Sequence, residues 1–189
     1  MSKKPLIAAP PPATGHEVDL FRFAAEGAHT QGTCAVAALP RLAAESLNLD
    51  AQIQWTAQGV RRAVPHQLDA TGAPVLRDFL LLTARAQLTK NCDRCGQPVQ
   101  LALDIAPRLE VFLTEAQADE APLEDESADP IVGSKKFSLL QQVEEELLLA
   151  IPPYVTHLDC NVAQDDASAT KPSPFSKLAA LQIGQKSKK

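Results

Sequence analysis

In the stretch AQIQWTAQ, residues 51–58, Ala51, Ile53, Trp55 and Ala57 alternate with Gln52, Gln54, Thr56 and Gln58. A period of two is what a strand with one buried and one wet face requires. The same period runs from Phe79 to Lys90, with Leu80, Leu82, Ala84, Ala86 and Leu88 on one side. It returns after Pro98, with Val99, Leu101, Leu103 and Ile105 inward, and residues 108–113 extend it as a fourth strand. Only a short segment holding Cys92, Cys95 and Gly96 joins the second strand to the third. The cysteine pair is therefore expected at the tip of an antiparallel hairpin.

Helical spacing flanks this β region. Asp19 is placed to cap a short helix in DLFRFAAEGA, with Leu20, Phe23 and Ala24 on one face and Gly27 near its end. TQGTCAVAAL reads as a strand, followed by a helix over Pro40–Asn48 in which Leu39, Leu42, Ala43, Ser46 and Leu47 recur at helical spacing. Ser138 and Gln141 suggest a capping box, and Leu140, Val143, Leu147 and Ala150 form an apolar stripe that ends before Pro152 and Pro153. Glu144, Glu145 and Glu146 read as the solvated side of that helix; the alternative is an acidic surface offered to a basic partner. In the tail, Ser173, Pro174, Phe175, Leu178 and Leu181 predict a short helix over 174–182, which either docks on its own domain or meets a partner.

These elements give an α+β class: an antiparallel sheet with a few packed helices. The expected organisation is a Pro-rich flexible arm at 1–16, a single domain over 17–162 and a tail over 163–189. Within the domain, residues 115–136 read as an acidic, mobile linker, because Glu and Asp cluster there with no Lys or Arg before residue 131.

Composition narrows the function classes. The chain has 189 residues and is 45% hydrophobic, enough for a packed core. Aromatic residues make up 4%, which disfavours a stacking platform for single-stranded nucleic acid, and the net charge of −5 disfavours a uniformly basic phosphate-binding surface. An RNA contact would use local features: Arg61, Arg62, Phe175 and Leu178 of the tail helix, and Lys186, Lys188 and Lys189 at the end. Otherwise it would run through a protein partner. No run approaches the roughly 18–20 apolar residues of a membrane span, and the apolar stretch near the start is too short for a secretory leader. A cytoplasmic protein without a membrane role is the expectation.

The cysteines carry the candidate chemistry. A redox C-x-x-C needs a thiolate at a helix N-terminus, whereas Cys95 is followed by Gly-Gln-Pro and a period-two strand. A knuckle suits the pattern better, since a tight turn points both thiolates at one ion and Gly96 tolerates the backbone this requires. His157 and Cys160, again three apart, complete a Cys₃His set with Cys92 and Cys95. Such a set would hold a structural zinc; the alternative is four unliganded thiols with His157 in a turn. Cys34 reads as core filler. His16, His29 and His66 lack obvious partners, and no phosphate loop, nucleophile elbow or H-E-x-x-H pair is present. A small-molecule substrate and an enzyme are not indicated.

Three ordered segments, NCDRCGQPVQL, FSLLQQVEEELLLAIPPYVTHLDC and KPSPFSKLAAL, resemble the bacterial YceD proteins, the large ribosomal RNA subunit accumulation proteins. The early DLFRFA helix matches more loosely, so the likeness covers residues 17–182. The resemblance implies an accessory role in the synthesis, processing or stability of 23S ribosomal RNA, with no reaction attached. It implies as partner a large-subunit rRNA precursor or pre-ribosomal particle, met directly or through an assembly factor. It places Cys92, Cys95, His157 and Cys160 at the family's recurring Cys and His positions without deciding whether they bind metal. The rival is a zinc-stabilised interaction module unrelated to ribosomes.

Overall fold

Two long strands, β3 (Gln52–Leu68) and β4 (Pro74–Asn91), pair antiparallel and carry the fold. The computed structural model describes residues 16–68, 70–120 and 128–160. The arm expected at 1–16, save His16, lies outside the described residues. So do the tail helix expected at 174–182 and Phe175, Leu178, Lys186, Lys188 and Lys189. The chain divides into a unit Met1–Leu158 and a unit Asp159–Lys189; of the second, only Asp159 and Cys160 are described.

The alternation read from sequence is the burial pattern observed. Ile53, Trp55 and Ala57 on β3, and Leu80, Leu82, Ala84, Ala86 and Leu88 on β4, are all buried. Strand β2 (His29–Ala35) pairs with the other side of β3. On β4's far side, β5 (Pro98–Ile105) and β6 (Arg108–Phe112) follow each other in one register, Ala84 facing Ile105 and Leu81 facing Arg108. They form one line along β4, interrupted at Ala106–Pro107. Proline has no N–H to continue the ladder, yet the Pro107 carbonyl still accepts the Leu82 N–H at 3.1 Å.

Helices close the apolar face. Helix α1 (Leu20–Ala25) is capped by Asp19, whose carboxylate accepts the Arg22 N–H, and it buries Leu20, Phe23 and Ala24. It lies so close to β3 that a Cβ on Gly59 would fall 2.3 Å from the Phe23 carbonyl oxygen. Only glycine permits that approach. Helix α2 (Pro40–Ala44) follows a 3₁₀ turn, Val36–Ala38. Helix α4 (Leu139–Leu149) is capped by Ser138, whose hydroxyl accepts the Gln141 N–H, and it buries Leu139, Leu140, Val143 and Leu147. The short pair β1 (Glu17–Val18) and β8 (Phe137–Ser138) ties the start of the described chain to the entry of α4. The α+β class is the one read from the sequence. Among the described residues, no helix is long and apolar enough to cross a membrane.

Four details differ from the sequence reading. The acidic stretch 115–136 is structured at its ends: Thr114 caps helix α3 (Glu115–Asp119), and Asp129–Val132 form strand β7. Residues 121–127 between them lie outside the described residues. Strand β7 pairs parallel with β6, so the sheet is not wholly antiparallel; backbone hydrogen bonds do not depend on side-chain charge, which is why the acidic composition concealed a strand. Helix α2 stops at Ala44, so helical spacing no longer brings Leu47 inward, and that side chain is 55% exposed. Glu144 is not on a solvated face. It is fully buried, accepting the N–H groups of Arg41 and Leu42 at 2.6 and 3.2 Å and pairing with the Arg41 guanidinium.

Candidate metal centre

The β4–β5 register, with Asn91 facing Pro98, leaves Cys92–Gln97 as the hairpin tip. The Cys92 N–H donates to the Gln97 carbonyl and the Gly96 N–H to the Cys92 carbonyl, both at 2.8 Å. Gly96 takes a φ of 73°, in the left-handed region. This tight turn, expected from strand alternation on both sides, brings Cys92 and Cys95 onto one flank.

The second candidate pair, His157 and Cys160, arrives on the segment after α4. Pro152 and Pro153 follow the end of the helix, and the next residues bond to the hairpin tip. The Asp93 N–H donates to the Val155 carbonyl at 2.9 Å, and the Asp93 carboxylate accepts the Val155 N–H at 2.6 Å. Val155 is buried beneath this double contact. Two residues on, His157 Nε2 lies 3.0 Å from the Pro98 carbonyl oxygen, and its Nδ1 lies 3.6 Å from Cys95 Sγ. A carbonyl only accepts, so Nε2 carries a proton, and in the neutral ring the Nδ1 lone pair faces the thiols. That division of roles is what a metal-ligating histidine requires.

The ligand atoms of Cys92, Cys95, His157 and Cys160 lie within 4.8 Å of one another. Sulfurs on a tetrahedral zinc sit about 3.8 Å apart, as Zn–S bonds of about 2.3 Å dictate, so a modest contraction completes the geometry. Cys92 and Cys160 are buried and Cys95 is half-buried. The cluster could hold a metal ion, and its soft sulfur and nitrogen donors suit zinc rather than magnesium or calcium.

The electrostatics of Cys92 agree with a ligand role. Burial pushes the Cys92 thiol up, but the backbone N–H groups of Cys95, Arg94 and His157 and the Cys95 side chain outweigh it and bring the value down to about 6. The Pro98 carbonyl first, and then Cys92, raise the His157 imidazole above its ordinary value. Cys34 behaves oppositely: burial alone pushes its thiol up, and it packs against the core away from this cluster.

The remaining described candidates do not join the cluster. Arg61 is held by Asp78 in a two-pronged pair, Nε to Oδ1 at 2.6 Å and Nη2 to Oδ2 at 2.7 Å. Arg62 is exposed and faces Arg77 across the ladder, while Arg77 pairs with Glu110 at 2.9 Å. A shallow depression of about 570 Å³ lies over the wet face of the sheet, with Gln31, Gln54, Thr83, Arg85 and Asp104 on its floor. The sequence reading missed Asp93 and Pro98, which bond to Val155 and His157. Asp93 carried a usable signal, since a short carboxylate in a turn is suited to bonding backbone N–H groups.

The hairpin, helix α4 and the segment with His157 and Cys160 fall within one matched region. The model of the family described as "Large ribosomal RNA subunit accumulation protein YceD" matches residues 80–182. No solved structure matches the chain. The match begins inside β4 and takes in every member of the Cys/His cluster. It spans more than half of the 189 residues, and the chain belongs to the YceD family.

Proposed function

We propose that this protein is a cytoplasmic accessory factor that supports the synthesis, processing or stability of 23S ribosomal RNA, acting by binding rather than by catalysis. The family match over residues 80–182 carries this reading. The partner is the large-subunit rRNA precursor or a pre-ribosomal particle containing it. A net charge of −5 favours engagement through a protein of that particle over a long phosphate track. Of the cationic candidates named from the sequence, Arg62 and the lysines at 186, 188 and 189 are left to RNA, since Arg61 is engaged by Asp78.

Cys92, Cys95, His157 and Cys160 hold a structural zinc in this reading. Four protein ligands fill a tetrahedral shell and leave no open position for an activated water, which supports scaffolding over hydrolysis. The ion would clasp the β4–β5 tip to the segment after α4, reinforcing the contacts that Asp93 already makes.

Sedimentation of cell extracts tests the ribosomal reading. A tagged full-length chain is expected in fractions holding large-subunit precursors, and crosslinking there is expected to recover large-subunit rRNA or its bound proteins. A chain found only among free proteins at the top of the gradient, under low-salt conditions, would overturn it.

A further inference from the structure

Strands β2, β5 and β7 border the main sheet, and their open edges are guarded differently. Natural edges are blunted against further pairing by charge, by proline or by covering chain. Strand β5 starts at Pro98, whose carbonyl already accepts from His157, and it carries Asp104. Strand β7 is only four residues long and holds Asp129 and Pro130. Strand β2, HTQGTCA, runs for seven residues without Asp, Glu, Lys, Arg or Pro, and it pairs with β3 without a register shift. The stretch of β3 that it faces, Gln52–Gln58, is uncharged too.

Backbone hydrogen bonds fix which groups β2 leaves open. The Gly59 N–H donates to the Ala28 carbonyl at 2.8 Å, and past the other end the Val36 N–H donates to the Ala51 carbonyl at 2.9 Å. Bonded pairs recur at every second residue of an antiparallel ladder, so Thr30, Gly32 and Cys34 bond to β3. His29, Gln31, Thr33 and Ala35 therefore turn both N–H and C=O away from the sheet. Among the described residues nothing bonds to these groups. Such a row is a template for one more strand.

The parity of the strand selects the occupant. With a two-fold axis through Gly32, His29 of one copy faces Ala35 of the other and Gln31 faces Thr33. Every outward N–H then meets an outward C=O. Thr30 faces Cys34, no like charges are opposed, and Gln31 with Thr33 makes a hydrogen-bonding cross-strand pair. A chain of net charge −5 meets itself with least repulsion along a line free of carboxylates. The indole of Trp55 backs the centre of this line, since a Cβ on Gly32 would fall 2.8 Å from its Cζ2. The strand is thus ordered before a partner arrives, which lowers the entropy lost on pairing.

We infer that β2 is a homodimer seam, two copies pairing antiparallel through His29–Ala35 about Gly32 and joining their sheets into one. This is independent of the ribosomal reading, which stands whatever the outcome.

Sedimentation equilibrium of the full-length chain, over a dilution series reaching about 1 mM, tests the seam. Wild type is expected to pass from monomer to dimer. Thr33→Pro removes an outward donor and no bond to β3, a change that edge strands tolerate. It is expected to weaken the dimer about tenfold or more, with the melting temperature of dilute protein near wild type. Gln31→Glu with Thr33→Glu opposes like charges across the axis, as does Gln31→Lys with Thr33→Lys. Each double variant is expected to be monomeric alone, and their equimolar mixture to dimerise. Amide exchange at Gln31 and Thr33 is expected to be slow in concentrated protein and fast on dilution. Wild type that stays monomeric throughout overturns the inference, as does a dimer that Thr33→Pro leaves intact. A charge-variant mixture that stays monomeric overturns the register and with it the seam. Slow exchange that ignores concentration shows that the chain covers its own edge, and also overturns it.

Discussion

Glu144 on α4 caps α2 from a distance of 103 residues, its Oε1 accepting the Arg41 N–H at 2.6 Å. Helix α2 has no side-chain cap of its own, because Leu39 occupies the N-cap position. The carboxylate also accepts the Leu42 N–H and pairs with the Arg41 guanidinium, so one buried side chain joins two helices. Glu144→Ala would leave these N–H groups without their acceptor and open a small void. A loss of about 2–4 kcal/mol is expected in urea unfolding. Glu144→Gln keeps an acceptor oxygen and should lose less. A change below about 0.5 kcal/mol for the alanine variant, the range of ordinary surface substitutions, would show that the cap contributes nothing.

Metal content follows the ligand set. Purified under reducing conditions, the full chain is expected to carry one zinc, and Cys92→Ser is expected to lose it. Cys34→Ala should retain it, because Cys34 is no part of the cluster. Chelation should lower the thermal midpoint by about 5 °C or more, because a ligand bound only by the folded state stabilises that state. Elemental analysis showing no zinc while all four thiols are reduced contradicts the metal assignment.

Asp93 bonds the segment that carries His157 to the hairpin tip without joining the Cys/His cluster. Asp93→Ala removes the acceptor of the Val155 N–H. Supporting groups of this kind are worth about 10–100-fold in metal affinity. Competition with a chromogenic zinc chelator measures this directly. Unchanged zinc affinity in the variant would mean that the hairpin tip and the His157 segment are held together by other contacts.

Gly59 sets the approach of α1 to the sheet. A methyl group there meets backbone atoms of Phe23 and Ala24 rather than a flexible side chain, so Gly59→Ala forces the helix outward. The expected cost is about 3 kcal/mol, at the upper end for overpacking, read as a lowered denaturant midpoint. Gly72→Ala is the contrast: no atom lies within 4 Å of its Cβ position, so only its positive φ is strained and the loss should be near 1 kcal/mol. Equal losses in the two variants would remove the close-approach argument.

Local signals were legible and distant partnerships were not. The hairpin tip could be read because apolar alternation runs into Asn91 and resumes at Val99, leaving room only for a turn. The approach of His157 and Cys160 to the tip was suggested by Cys and His recurring there at the same spacing. Glu144 looked like its neighbours Glu145 and Glu146 in a polar run, and nothing nearby announces a helix N-terminus that needs an acceptor 103 residues earlier. The β7 strand was hidden in an acidic stretch because its pairing with β6 is made by backbone groups. Gly59 gave no warning inside its strand, since a close approach shows only once α1 is in place.

The ratio of mature large-subunit to small-subunit rRNA in a strain lacking the gene tests the central claim most directly. The account predicts that deletion lowers the ratio, that the wild-type gene restores it, and that a Cys92→Ser gene does not. An unchanged ratio in a clean deletion would contradict it.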